Sequence, residues 1–114
     1  MRKLIMSNQF YDYYCSLPLQ VQEKFEYVMQ ILIAQQVVSA KFVKRIQNTN
    51  LYEMRVSVGY NEYRTILFAI DNDNIINSTE IILLNAFLKK SDKDYKRQIT
   101  IAQKILNSTP YENK

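Results

Sequence analysis

From Glu80 to Leu88 the chain reads Glu-Ile-Ile-Leu-Leu-Asn-Ala-Phe-Leu, apolar at almost every position and without the in-and-out alternation of a half-exposed strand. A run of this length and pattern is expected as a β-strand covered on both faces. Such a strand cannot lie at an edge, because an edge position would leave its backbone groups and half its side chains in water. The remaining elements therefore have to be arranged around it.

Two further strands precede it. Tyr52, Met54, Val56 and Val58 alternate with Glu53, Arg55 and Ser57, so Glu53 and Arg55 share a face. Gly59, the only glycine, falls in a turn before a partner strand running from Glu62 or Tyr63 to Ile70, which Asp71-Asn72-Asp73-Asn74 ends. The pair reads as a hairpin, with Arg55 and Arg64 close across it. Residues 2–6 suggest a short strand, and Ser7 or Asn8 can cap a short helix carrying Phe10, Tyr11 and Tyr14. From Pro18 to about Gln36 the residues Val21, Phe25, Val28, Met29, Leu32 and Ile33 recur at helical spacing. Residues 37–50 read as a basic connection, partly helical, containing Lys41, Lys44 and Arg45. Ser91 or Asp92 caps a last helix with Tyr95, Ile99, Ala102 and Leu106 on one stripe, and Ser108-Thr109-Pro110 stops it. The expected architecture is one α+β domain over residues 1–114. It has a small antiparallel sheet, helices mainly on one face, and a cleft on the other face or at its rim.

Charge narrows the partners. Of fifteen bases and eleven acids, Arg2, Lys3 and Lys24 are matched by Asp12, Glu23 and Glu26, so the whole net charge of +4 lies beyond residue 40. That asymmetry favours a polyanion, nucleic acid or an acidic protein. The absence of histidine removes the commonest general base and metal ligand, leaving Lys, Arg, Tyr and carboxylates for any catalysis. Cys15 is the only cysteine; it reads as a packing residue in a reducing compartment. No apolar stretch reaches bilayer length and the start of the chain is too polar for a signal peptide, so a soluble, cytoplasmic protein without membrane contact is expected.

The apolar strand ends in Phe87-Leu88-Lys89-Lys90-Ser91, and Lys93, Lys96 and Arg97 follow on the last helix. Ammonium groups held at the end of a packed strand suit a phosphodiester. The competing structural readings are a solvated strand end for Lys89 and Lys90, ion pairs of Arg55 and Arg64 with Glu53 and Glu62 across the hairpin, and packing roles for Tyr52, Tyr60 and Tyr63.

Taken together, Leu51-Tyr52-Glu53-Met54-Arg55, Tyr63-Arg64, Ile82 to Ser91, and a helix with Ile99 and Ala102 resemble the HigB-like (phage Gp49-like) branch of the RelE/ParE toxin superfamily. The resemblance spans about residues 2–107. It implies a small twisted antiparallel sheet with two N-terminal helices and a C-terminal helix. It further implies the toxin of a type II toxin-antitoxin system, a ribosome-dependent messenger RNA endonuclease that needs no metal or other cofactor. The implied partners are messenger RNA, the ribosome and a cognate antitoxin, commonly a helix-turn-helix protein. Arg55 stands at the arginine of the family's LYELR pattern, Arg64 at that of its YR strand, and Lys89 and Lys90 at its F-x-KK. The sequence departs from the family at Asn85, where histidine is common, and at Asp94-Tyr95, where Thr-Pro is common.

The catalytic set implied is Arg55, Arg64, Lys89 and Lys90. Attack by the 2′-hydroxyl needs charge stabilisation on the phosphate, which the arginine forks supply, and a base, for which a lysine crowded by other cations is the candidate. Glu53 is expected to orient an arginine or move a proton, and Tyr95 to stack on a base or donate its phenolic proton. Lys93, Lys96, Arg97, Lys44 and Arg45 are expected to hold the RNA backbone. Two other functions remain open on the same fold: a ParE-like inhibitor of DNA gyrase, and a module that binds an antitoxin without catalysis.

Overall fold

The computed structural model of the chain describes residues 1–108. The elements in order are β1 (Lys3–Met6), α1 (Asn8–Ser16), α2 (Leu19–Ala34), β2 (Val43–Arg45), β3 (Tyr52–Val58), β4 (Asn61–Ala69), β5 (Glu80–Leu88) and α3 (Asp92–Asn107), with a 3-10 turn at Ile75–Asn77 before β5. The strands form one sheet in the order β1-β5-β4-β3-β2. The apolar strand, β5, is interior as its sequence requires.

Two features of the sheet differ from the sequence expectation. It is mixed and not purely antiparallel, because β1 runs parallel to β5, with Lys3 opposite Glu80 and Met6 opposite Leu83. Parallel pairing joins segments more than seventy residues apart, beyond the reach of local pattern. Residues 43–45, read as part of a basic and partly helical connection, instead form an edge strand in which Val43 is buried while Lys44 and Arg45 are exposed. A short edge strand carrying lysine and arginine discourages further strand pairing.

Helices cover both faces, where one was expected to carry most of them. On the first face α1 and α2 bring Phe10, Phe25, Val28 and Leu32 against Met54, Val56, Tyr63 and Leu83. On the second, Ala102, Ile105 and Leu106 of α3 pack on Ile66, Ile82, Leu84 and Phe87. A bulge explains how β5 serves both. Ile66 pairs with Asn85 and Leu67 with Leu83, so Leu84 is an extra residue in the ladder. Leu84 and Asn85 consequently both face α3, and alternation is broken where the sequence shows none. α3 lies mainly over β5 and also covers Ile66 of β4, so on the second face of the β3–β4 hairpin Glu53 and Arg64 are buried while Arg55 stays part-exposed.

Caps and clamps fix the ends of these elements. The Ser7 hydroxyl accepts from the Phe10 N–H at 3.0 Å and donates to the Leu84 carbonyl at 2.5 Å, tying the start of α1 to β5. Ser91 accepts from the Asp94 N–H at 3.1 Å, and Asp92 and Asp94 lie in the first turn of α3, where the helix dipole favours negative charge. The guanidinium of Arg2 is buried and donates to the carbonyls of Leu32, Gln35 and Gln36 at the end of α2 and of Ile75, Ile76 and Ser78 before β5. Asp71 receives hydrogen bonds from Ser78, Thr79 and the Glu80 N–H. Desolvation opposes its ionisation, and these bonds overcome it, holding the carboxyl well below the usual carboxylate range.

Two packing assignments change. Cys15 is exposed on α1 and not packed in the core. Tyr60 is fully exposed at the hairpin tip, whereas Tyr52 and Tyr63 are buried. The tip demands Gly59 for its backbone, at φ +58°, since a Cβ there would meet nothing within 4 Å. Gly59→Ala is therefore expected to cost about 1 kcal/mol through the left-handed conformation alone, read as a shift in the urea midpoint at constant slope. The Thr109-Pro110 part of the predicted stop signal lies outside the described residues. Among the described residues, no helix is long and apolar enough to cross a membrane.

Candidate nucleic-acid interface

Strand alternation puts Glu53 and Arg55 of β3 and Arg64 of β4 on the second face, and the register sets Arg55 directly opposite Arg64. Like charges at opposed positions repel. Glu53 resolves the conflict: its Oε2 lies 2.8 Å from Arg55 Nε and 3.3 Å from Arg64 Nε. Its Oε1 accepts from the hydroxyl of Tyr95 on α3. One carboxylate, 7% exposed, thus binds two guanidinium groups and a phenol from three elements.

The two arginines are differently placed. The Arg64 side chain is 6% exposed, and its Nη1 is engaged by the Tyr63 carbonyl at 3.1 Å and by Glu62 at 3.3 Å. Glu62 in turn accepts from Ser57 at 2.8 Å. Arg55 is 32% exposed, and among the described residues only its Nε has a partner. Its two Nη atoms are unengaged among the described residues, and a guanidinium fork of this kind has the geometry that matches two phosphate oxygens.

Arg55 borders an open groove between α3 and the β2–β3 edge, whose other cations are Lys44, Arg45 and Lys96. Lys44 is opposite Glu53 in the register and shares its face. Arg45 is opposite Tyr52 and turns away: its guanidinium lies 5.7 Å from the Tyr52 ring and donates to the Thr49 carbonyl at 3.1 Å. Glu53 is the one carboxylate lining the groove, and it is already engaged. The groove is therefore positive. Asn48, in the left-handed region at φ 62°, and Gln47 also line it. Neither was singled out from sequence, where residues 37–50 read only as a basic connection.

Tyr95 stands beside the groove with its ring edge-on to Phe87 at 6.0 Å. Burial and the hydrogen bond to Glu53 push its phenol above the ordinary tyrosine range, against the opposing pull of Arg64 and Arg55. It is therefore a poor acid at neutral pH while that bond lasts, and its observed work is to hold Glu53.

The remaining candidates lie outside the groove. The Lys89 N–H extends the ladder to the Glu62 carbonyl at 2.8 Å, and the side chains of Lys89 and Lys90 are exposed. Lys93 is exposed on α3, and Arg97 pairs with Asp94. Beneath α3, Asn85 is buried and donates to the Gln98 carbonyl at 3.2 Å and to Gln98 Oε1 at 3.0 Å. Its own oxygen has no partner among the described residues. Among the described residues, no group of His, Cys, Asp and Glu is arranged to hold a metal ion.

The family described as "Phage derived protein Gp49-like (DUF891)" matches residues 12–107. No curated protein sequence matches the chain. Among solved structures the chain is similar to one in the intact E. coli RelBE toxin-antitoxin complex, with a TM-score of 0.59 at 10% identity, covering 80% of this chain and 100% of that one. A mutant of E. coli toxin RelE in the free state gives 0.58 at 10% identity, covering 87% and 95%. The isolated E. coli RelE toxin gives 0.53 at 11% identity, covering 88% and 97%. The RelE-like α+β fold is thereby shared with this chain.

Proposed function

This chain belongs to the Gp49-like family of phage derived proteins, and from that premise we propose that it is the toxin of a type II toxin-antitoxin pair, acting as an endonuclease on translated messenger RNA. The observation that carries the reading is Arg55: part-exposed, fixed at Nε by a buried carboxylate, and lining a groove with Lys44 and Lys96. Preorganised donors of this kind stabilise charge that grows on a phosphate. Glu53 and Arg64 act through Arg55 as positioning residues.

In the proposed reaction the 2′-hydroxyl oxygen attacks the adjacent phosphorus, the bond to the 5′-oxygen breaks, and the products are a 2′,3′-cyclic phosphate and a 5′-hydroxyl. In this reading Lys89 or Lys90, exposed outside the groove at the end of β5, reaches over to the bound strand and takes the 2′-hydroxyl proton, and a lysine ammonium at the groove supplies one to the leaving oxygen. Lys93 and Arg97 add backbone contacts along α3. The cognate antitoxin, a helix-turn-helix protein in this reading, neutralises the toxin by covering the groove with acidic or apolar side chains.

Induction in a bacterial host with mapping of transcript 5′ ends tests this. Growth arrest with new 5′ ends inside translated frames is the expected result. Intact transcripts with DNA-damage signalling would instead indicate gyrase inhibition. Normal growth with folded protein would indicate a module that binds an antitoxin and does not cleave.

A further inference from the structure

Arg55 borders a second groove as well, on the other side of the sheet edge, lined by Lys24, Tyr27 and Val28 of α2, Lys41 and Phe42 before β2, and Ser57. Its three cations, Lys24, Lys41 and Arg55, face no carboxylate in the lining. Two aromatic rings lie between them. Tyr27 is 56% exposed and meets Phe42 edge-on at 6.4 Å. The Lys24 ammonium sits 5.3 Å from the Tyr27 ring and that of Lys41 sits 5.5 Å from the Phe42 ring. An exposed aromatic platform flanked by ammonium groups is how single-stranded nucleic acid is held without regard to sequence, with the base on the ring and the phosphate on the lysine.

We propose that this second groove is a subsite for a nucleotide next to the reacting phosphate of a single-stranded RNA, its base stacked on Tyr27 and its phosphate held by Lys24 and Lys41. The inference rests on the reading of the chain as an RNA endonuclease, and extends it to residues on α2 and the α2–β2 connection that the reaction itself does not use. Arg55 links the two grooves, so a strand lying across it occupies both. The arriving base displaces Lys24 from the ring, and the freed ammonium meets the phosphate.

The competing occupant is an extended protein segment. The Arg55 N–H bonds the Phe42 carbonyl at 2.7 Å, and by strand alternation the backbone of Ser57 points the same way, past the end of β2. That open edge is one residue pair long before the hairpin tip, and little is gained by adding a strand there. Three cations and two rings with no carboxylate favour a polyanion carrying flat bases.

The test is binding of a fluorescent 2′-O-methyl single-stranded RNA, which resists 2′-hydroxyl attack and so separates binding from cleavage. Wild type, Tyr27→Ala and the double variant Lys24→Ala/Lys41→Ala are compared, with thermal melting as the check on folding. Tyr27→Ala is expected to weaken binding about tenfold. The double variant is expected to flatten the dependence of log K on log salt by about 1.4. Wild-type binding unchanged in both variants would overturn the subsite and leave the endonuclease reading standing. Failure of wild type to bind the RNA would overturn the subsite, while the endonuclease reading is decided separately by the transcript-end mapping. Loss of antitoxin binding in the variants, with RNA binding intact, would assign the groove to the protein partner and overturn the subsite.

Discussion

Arg55→Ala is expected to lower the rate of RNA cleavage by about a hundredfold or more, the effect of deleting one preorganised charge-stabilising donor. Stability should fall by less than about 1 kcal/mol, because the pair it makes with Glu53 is partly exposed and Glu53 retains Arg64 and Tyr95. The two readouts separate the roles sequence alone left open. An arginine kept for its ion pair would lose stability and spare the rate; one kept for a phosphate would do the opposite. Arg55→Lys sharpens the test, since it keeps the charge and loses the fork. A single-turnover rate well below wild type for the lysine variant points to two-oxygen contact by the Nη atoms. Equal rates for wild type and the alanine variant, in folded protein, would sink the assignment.

The contrast between Arg55 and Arg64 shows how far the sequence could be read. Alternation from Tyr52 to Val58 put Glu53 and Arg55 on one face, and the hairpin brought Arg64 opposite, as the register has it. Which arginine faces solvent was not legible, because it depends on α3 crossing the sheet so that Arg64 is buried and Arg55 is not. The ion pairs with Glu53 and Glu62, first weighed as a rival to a functional role, are present. A positioned arginine needs such partners too, so their presence does not by itself choose between the two readings.

What escaped the sequence escaped for definite physical reasons. Periodicity reports one element at a time, and it recovered α1, α2, the hairpin, β5 and α3. The parallel pairing of β1 with β5 and the bulge at Leu84 are properties of two distant segments together. Residues 43–45 form a strand because β3 offers an edge, not because three residues carry strand pattern. Arg2 was read as one half of a charge balance, and only the meeting of the α2 end with the turn before β5 turns it into a clamp. Tyr27 was not singled out, Lys24 entered only the charge balance and Lys41 only the basic connection, since nothing local shows that they converge beside Arg55.

The largest loss of stability is expected at Glu53→Ala. Removing this carboxylate leaves Arg64 buried with its Nε facing no anion, and restores the direct opposition of Arg55 and Arg64. Breaking one side of a buried ion pair costs about 3–5 kcal/mol, and the Tyr95 hydroxyl loses its acceptor as well. Glu53→Gln should cost less, because an amide oxygen still accepts from Tyr95 while the charge conflict remains. The double variant Glu53→Ala/Arg64→Met removes the orphaned cation and should recover much of the loss, as apolar replacement of whole buried pairs often does. Urea denaturation of wild type, Glu53→Ala, Arg64→Met and the double variant closes a double-mutant cycle whose coupling term isolates the pair. Coupling near zero would mean that Arg64 is held by Glu62 and the Tyr63 carbonyl alone. The double variant also separates stability from function: with the fold recovered and Arg55 present but unbraced, cleavage should stay low, because a guanidinium free to rotate meets the phosphate at an entropic cost the native carboxylate has already removed.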